Sequence, residues 1–164
     1  MRAERLTEDD WETLRDVRLT ALQPDETAFA SSLERERGFK ESHWRMRLRT
    51  TPMFVVRSDD QAVGLIGVIR EPGAPVEERH LIALWVTPEQ RGRGVAQTLL
   101  AAAEDWAVQD GASVISLWLV DGNDEAADLY RGVGYTATGV RMPVPRDRSQ
   151  TEERWTKALV AQSR

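Results

Sequence analysis

The sequence predicts a mixed α/β fold, and three observations carry that prediction. Three short runs rich in Val, Ile and Leu, "MFVVRS", "AVGLIGVIR" and "RHLIALWV", are separated by the turn-forming "DDQ" and "EPGAPVEE" and read as a strand meander. From residue 79 the patterns then run strand, helix, strand, helix, which requires a crossover and a parallel pair of strands flanked by helices. Two last runs, "YTATGVRM" and "ERWTKALV", close the sheet. With 164 residues and 41% hydrophobic content, the chain is expected to form a single domain over 1–164, with a core that needs neither disulfide nor metal.

The elements follow in order. "MRAERL" is expected as a short strand. "TEDDWETLRDVRLTAL" is helical, with Thr7 as N-cap, acids in the first turn, and Trp11, Leu14, Val17, Ala21 and Leu22 along one face. Pro24 ends it, and the next stretch suggests one or two shorter helices, the second capped near Glu41 or Ser42 and stopping before Pro52. In the meander, the run from Leu81 to Val86 is apolar on both faces, which predicts a central, fully covered strand. Residues 93–109 are predicted helical, with Leu99, Leu100, Ala103, Trp106 and Ala107 inward and Gly111 as the stop. "SVISLWLV" is a further strand apolar on both faces. A short helix starts near Asn123 or Asp124 and stops at Gly132 or Gly134, and the polar "PVPRDRSQTE" is expected as a loop between the closing strands. The tryptophans divide between helices (Trp11, Trp44, Trp106) and strands (Trp85, Trp118, Trp155), as core packing requires; Trp85 alone is a candidate to line a cleft.

Composition removes several classes of chemistry. The absence of cysteine excludes disulfides, thiolate metal sites and cysteine nucleophiles, and no metal is expected. A net charge of -5 argues against general nucleic-acid binding, which needs an excess of Lys and Arg on the contact face. The charged N-terminal residues and the lack of any run near the roughly 18 apolar residues of a membrane span predict a cytoplasmic protein with no membrane partner.

One junction stands out. "WVTPEQRGRGVAQTLL" sets two glycines and two arginines between an apolar strand and the start of a helix. A helix start has unpaired N–H groups and partial positive charge, and glycine lets an anion approach them closely. Arg91 and Arg93 add charge for charge-assisted hydrogen bonds. A P-loop would need Gly-Lys followed by Ser or Thr where Gly94-Val95-Ala96 stands, and a dinucleotide fingerprint would need Gly or Ala at Gln97. Neither motif fits, and a tight turn with solvated arginines stands as the plain alternative to an anion site.

Arg91-Gly92-Arg93-Gly94-Val95-Ala96 resembles the Arg/Gln-x-x-Gly-x-Gly/Ala signature of the GNAT superfamily of N-acetyltransferases, and "LWVTPEQ" is similar to the lead-in common there. "NDEAADLYRGVGY" resembles the family's motif after the fifth strand, with Gly134-Tyr135 where Gly-Phe is more usual. The resemblance is specific over residues 84–135 and covers most of the chain in element order. It implies a mostly antiparallel sheet of six or seven strands, helices on both faces, and a parallel fourth and fifth strand that splay apart. It also implies acetyl-coenzyme A as cosubstrate. The loop amides of Arg91, Gly92, Arg93, Gly94, Val95, Ala96 and Gln97 would hold its diphosphate, a bulged Leu84-Trp85-Val86 would pair with the pantetheine arm, and Asn123 would bond to pantetheine or nearby backbone.

Acetyl transfer to an amine needs a neutral amine, a polarised carbonyl and a proton for the departing thiolate. By the same resemblance Tyr130 is the proton donor, with a core tyrosine as the plain alternative, and Asn123 is equally well a helix N-cap. Glu34, Glu36, Glu78 and His80 are open candidates for the base, beside a water relay, although each is expected to be a solvated surface residue. The reading is an N-acetyltransferase acting by direct attack on a small-molecule or peptide amine, as monomer or homodimer. The alternatives are a transferase of longer acyl chains and a coenzyme-binding sensor without turnover.

Overall fold

A computed structural model describes residues 1–23 and 33–160. The element order is β1 (Ala3–Arg5), α1 (Trp11–Leu22), α2 (Glu41–Thr50), β2 (Met53–Ser58), β3 (Gln61–Ile69), β4 (Glu78–Val86), α3 (Val95–Gln109), β5 (Val114–Val120), α4 (Asp124–Gly132), β6 (Thr136–Val144) and β7 (Asp147–Ala158). The seven strands run β1-β2-β3-β4-β5-β7-β6 across the sheet. The expected helix between Pro24 and residue 40 falls partly outside the described residues; 33–37 are helical. The chain divides into two compact units, Met1–Ile69 with Ile82–Ala103, and Arg70–Leu81 with Glu104–Arg164.

In the first unit, Thr7 and Asp10 open a 3-10 turn, with the Thr7 N–H donating to the Asp10 carboxylate at 2.8 Å, and α1 follows from Trp11. Leu14 and Val17 of α1 and Trp44 and Leu48 of α2 pack with Leu6, Met53, Val55 and Leu65 into one core. The hairpin of β2 and β3 turns on Asp59 and Asp60, both at positive φ, the conformation a two-residue turn between twisted strands requires. On the opposite face of β3, Gly64 leaves room for the first turns of α3. A Cβ there would lie 2.7 Å from Val95 Cγ1 and 2.9 Å from Leu99 Cδ1, so this glycine sets how closely the helix start sits on the strand.

In the second unit, the start of β4 lies parallel to β5, with Glu78, Arg79 and His80 registered on Val114, Ile115 and Ser116. β5 and β7 pair antiparallel from Val114 and Ala158 to Val120 and Glu152. The polar stretch expected as a loop is mostly strand: β6 and β7 extend to Val144 and from Asp147, leaving only 145–146 as the turn. Backbone pairing rather than apolar burial holds this hairpin, since nearly all of β6 is exposed, and Pro143 is tolerated because β6 is the sheet edge.

Two further expectations are corrected. The helix expected from Arg93 starts at Val95, because Gly92 and Gly94 have φ of 77° and 88°, outside any right-handed helix. The strand expected to be fully covered is buried from Glu78 to Leu81 and only half-buried over residues 82–85. Ala83 has φ of 61°, a left-handed residue that interrupts the strand's alternation.

Candidate functional site

The residues expected to hold a cofactor come together in the first unit, apart from Asn123. Val86 ends β4, Thr87 is pinned by its N–H donating to the Val63 carbonyl at 2.8 Å, and Pro88–Gln90 form one 3-10 turn. Residues 91–94 then make the turn into α3. The helical ladder begins with the Thr98 N–H donating to the Gly94 carbonyl at 3.0 Å, which leaves the amides of Val95, Ala96 and Gln97 at the helix's unpaired end. A Cβ on Gly92 or on Gly94 would meet no atom within 4 Å, so both glycines open on free space on that side. The two arginines differ. Arg91 turns back and its Nε donates to the Val86 carbonyl at 3.0 Å, bracing the strand end, whereas Arg93 is exposed and lends only its charge to the loop.

Leu84 and Trp85 are half-buried and Val86 is buried. A left-handed residue, Ala83, stands just before the three residues expected to bulge. Nothing in the sequence marks it, because alanine is not a residue that seeks positive φ. Trp85 lines a groove of about 560 Å³, together with Thr13 and Asp16 of α1, Asp59 and Asp60 of the hairpin turn, and Glu89.

Tyr130 and Asn123 lie in the second unit. The Asn123 carboxamide oxygen accepts from the Ala126 N–H at 3.2 Å, so it is the N-cap of α4. Tyr130 is half-buried, and burial pushes its hydroxyl pKa up to about 12. Its ring meets that of Tyr135 edge-on, with centroids 5.7 Å apart. The hydroxyls of the two tyrosines are used differently. Tyr135 donates to Glu104 at 2.8 Å, while the Tyr130 hydroxyl has no partner among the described residues.

Of the four candidate bases, only Glu34 is on the surface. Glu36 is 5% exposed and accepts from Arg18 Nε at 3.0 Å and Arg47 Nη1 at 2.9 Å. Burial alone would raise its pKa, but hydrogen bonds and charge from the two arginines outweigh it and hold the carboxyl below the ordinary range. Glu78 is buried beside Arg154, with which it forms an ion pair. His80 is buried, with Nδ1 2.8 Å from Ser116 Oγ and 3.4 Å from a Glu71 oxygen. Burial lowers its pKa against the pull of Glu71, and Arg154 adds to the lowering. The expectation of solvated side chains fails at these three because partners from distant segments compensate their burial. Among the described residues no group of three or more His, Cys, Asp or Glu is placed to hold a metal ion, and no helix is long and apolar enough to cross a membrane.

Comparison with known proteins gives this geometry a family. The N-alpha-acetyltransferase RimI of Mycobacterium tuberculosis is 34% identical over 85 residues, 52% of this chain and 52% of that protein. The chain spans 23%, 44% and 52% of the length of three curated relatives that it matches. A ribosomal-protein-alanine N-acetyltransferase from Brucella melitensis shares the fold, with a TM-score of 0.72 at 23% identity over 97% of this chain and 100% of that one. So does a PaiA N-acetyltransferase from Thermoplasma acidophilum solved in complex with coenzyme A, with a TM-score of 0.70 at 17% identity over 96% and 99% of the two chains. The Acetyltransferase (GNAT) family profile matches residues 6–135, and the chain belongs to that family.

Proposed function

We propose that this protein is an N-acetyltransferase that moves an acetyl group from acetyl-coenzyme A to the primary amine of a small molecule or peptide, by direct attack in a ternary complex. The observation that carries the proposal is the turn of residues 91–94: two left-handed glycines, open on their Cβ side, at the start of a fifteen-residue helix whose first amides lie outside its ladder. The residues fit a diphosphate. The amides of residues 91–97 would donate to it, Arg93 would add charge, and a long acidic side chain at position 92 or 94 would oppose it by bulk and like charge.

When bound, acetyl-coenzyme A supplies a thioester carbon open to attack. The backbone of Leu84, Trp85 and Val86 would pair with its pantetheine amides and polarise the acetyl carbonyl, and Asn123 would add a contact while keeping its cap. Tyr130 is assigned to the departing sulfur. A phenol at about 12 stays protonated through the working pH range. A phenol raised in this way is a weaker acid than an ordinary alkyl thiol, so complete proton transfer from it is uphill. Tyr130 therefore acts first as a hydrogen-bond donor to the charge developing on sulfur, and any proton it gives up is restored from solvent.

For the proton that the amine must lose, His80 is the best supplied acceptor. Protonating Glu36 or Glu78 would break an ion pair, whereas His80 is uncharged near neutral pH. In the tautomer whose Nδ1–H faces Ser116, Nε2 carries the lone pair that would accept the proton.

The test is thiol release from acetyl-coenzyme A across a panel of amines. Release with at least one amine, and a loss of about a hundredfold in kcat for Tyr130→Phe with unchanged coenzyme affinity, is the expected result. Binding without release for every acceptor would make the protein a coenzyme sensor. Faster release from longer acyl thioesters would make it an acyltransferase of another chain length.

A further inference from the structure

We infer that Tyr135, anchored by Glu104 and Lys157, is a positioning residue that fixes the ring of Tyr130 for the transfer step. The inference rests on the role given to Tyr130 above. These are the only two tyrosines in the chain, and they meet within one unit.

Tyr135 is restrained in several ways. Its ring is 1% exposed. Its hydroxyl donates to one Glu104 oxygen at 2.8 Å, and the other Glu104 oxygen accepts from Lys157 Nζ at 2.7 Å. The same ammonium lies 5.7 Å from the centre of the Tyr135 ring, so the cation holds both the carboxylate and the aromatic face. The backbone is tied as well. Gly134 turns through φ of 101°, and the Tyr135 N–H then donates to the Tyr130 carbonyl at 2.9 Å. The turn is closely packed, since a Cβ on Gly134 would lie 3.3 Å from Lys157 Cε.

Tyr130 has no such anchor of its own. Its hydroxyl makes no bond to a described residue, so among these residues nothing at the tip of the side chain sets its direction. The restraint comes from the ring of Tyr135, set at 63° to it with centroids 5.7 Å apart. This division suits a donor that must stay available. One phenol is committed to a carboxylate, and its fixed ring aims the other. A misplacement of about 1 Å near a reacting centre costs on the order of a hundredfold in rate, so loosening the anchor should appear in kcat before binding changes.

The experiment is a double-substitution cycle on the full chain, with steady-state kinetics for acetyl-coenzyme A and the best amine found. Tyr135→Phe keeps the ring and removes the donor. It is expected to lower kcat about fivefold to tenfold, a part of the loss expected for Tyr130→Phe, with KM for acetyl-coenzyme A within about twofold of the parent. In a Tyr130→Phe background the same substitution should cost nothing further. An equal loss in both backgrounds, or a kcat for Tyr135→Phe equal to the parent's, overturns the inference. If Tyr135→Phe fails to fold, Glu104→Gln takes its place with the same expectation. Ring-labelled tyrosine spectra add a readout, because the one tyrosine signal left in Tyr135→Phe belongs to Tyr130. That signal should broaden as the ring loosens, and an unchanged signal counts against the idea. Full activity in Tyr130→Phe alone would instead remove the catalytic role of Tyr130, a different failure.

Discussion

Gly92→Glu separates the cost of folding the loop from the cost of filling it. At φ of 77° any L-residue is strained, by roughly 1–2 kcal/mol. No atom lies within 4 Å of the new Cβ, so no packing clash adds to that. For a chain of this size the melting temperature should fall by about 2–8 °C, and Gly92→Ala should fall by the same amount. Coenzyme binding should part the two variants. The glutamate places a carboxylate where a diphosphate is expected and screens the neighbouring amides, each worth about 1.5–3 kcal/mol to a charged acceptor. Losing two such bonds weakens binding by roughly a hundredfold to ten-thousandfold. Calorimetric titration with coenzyme A, beside thermal melts of both variants, measures each quantity. A dissociation constant for Gly92→Glu within about threefold of Gly92→Ala would refute the reasoning, whatever the melting temperatures.

Gly64→Ala should lower stability by about 1–3 kcal/mol in denaturant melts and weaken coenzyme binding too, because its Cβ would displace Val95 and Leu99 at the start of α3; a melt equal to the parent's would show that the helix start is not seated there. Ala83→Gly should hold or raise stability by up to about 1 kcal/mol, while Ala83→Val should cost roughly 2 kcal/mol, since a β-branched residue tolerates positive φ poorly. The same melts check both, and equal effects would remove the left-handed geometry. His80, facing Ser116, Glu71, Glu78 and Arg154, has a folded pKa below its ordinary value, so its contribution is present above about pH 6.5 and lost as pH falls toward the folded value. The slope in that window is at most about 1.4 kcal/mol per pH unit, and urea midpoints should show it reduced in His80→Gln.

The fold was largely legible because its signals are local. Leu14, Val17 and Leu22 recur at helical spacing, and the meander alternates between Val- and Ile-rich runs and turn residues, so neither needs a distant partner to be recognised. The loop was legible for the same reason: glycines at 92 and 94, directly before a helix, free the chain for the positive φ it adopts there. What escaped depends on contacts between distant segments. Glu36 looks like a surface acid until Arg18 and Arg47 close on it, and Glu78 until Arg154, 76 residues away, reaches it. The β6 and β7 hairpin is polar in sequence, so only its pairing register separates strand from loop. Ala83 carries no mark of its left-handed backbone, and Gly64 resembles any strand glycine until Val95 lies over it. The anchor of Tyr135 joins residues 31 apart in sequence, a distance that no helical or strand period connects.

The central claim is that amides at the start of α3 grip the diphosphate of coenzyme A. The most direct measurement is an amide-resolved NMR titration of the full chain with coenzyme A, read together with hydrogen exchange. The largest shifts, and slowed exchange, are expected at the N–H groups of Gly92, Arg93, Gly94, Val95 and Ala96. Saturable binding that leaves those amides unmoved and still exchanging, with the shifts gathered around Asp16, Asp60 and Trp85 instead, would contradict it.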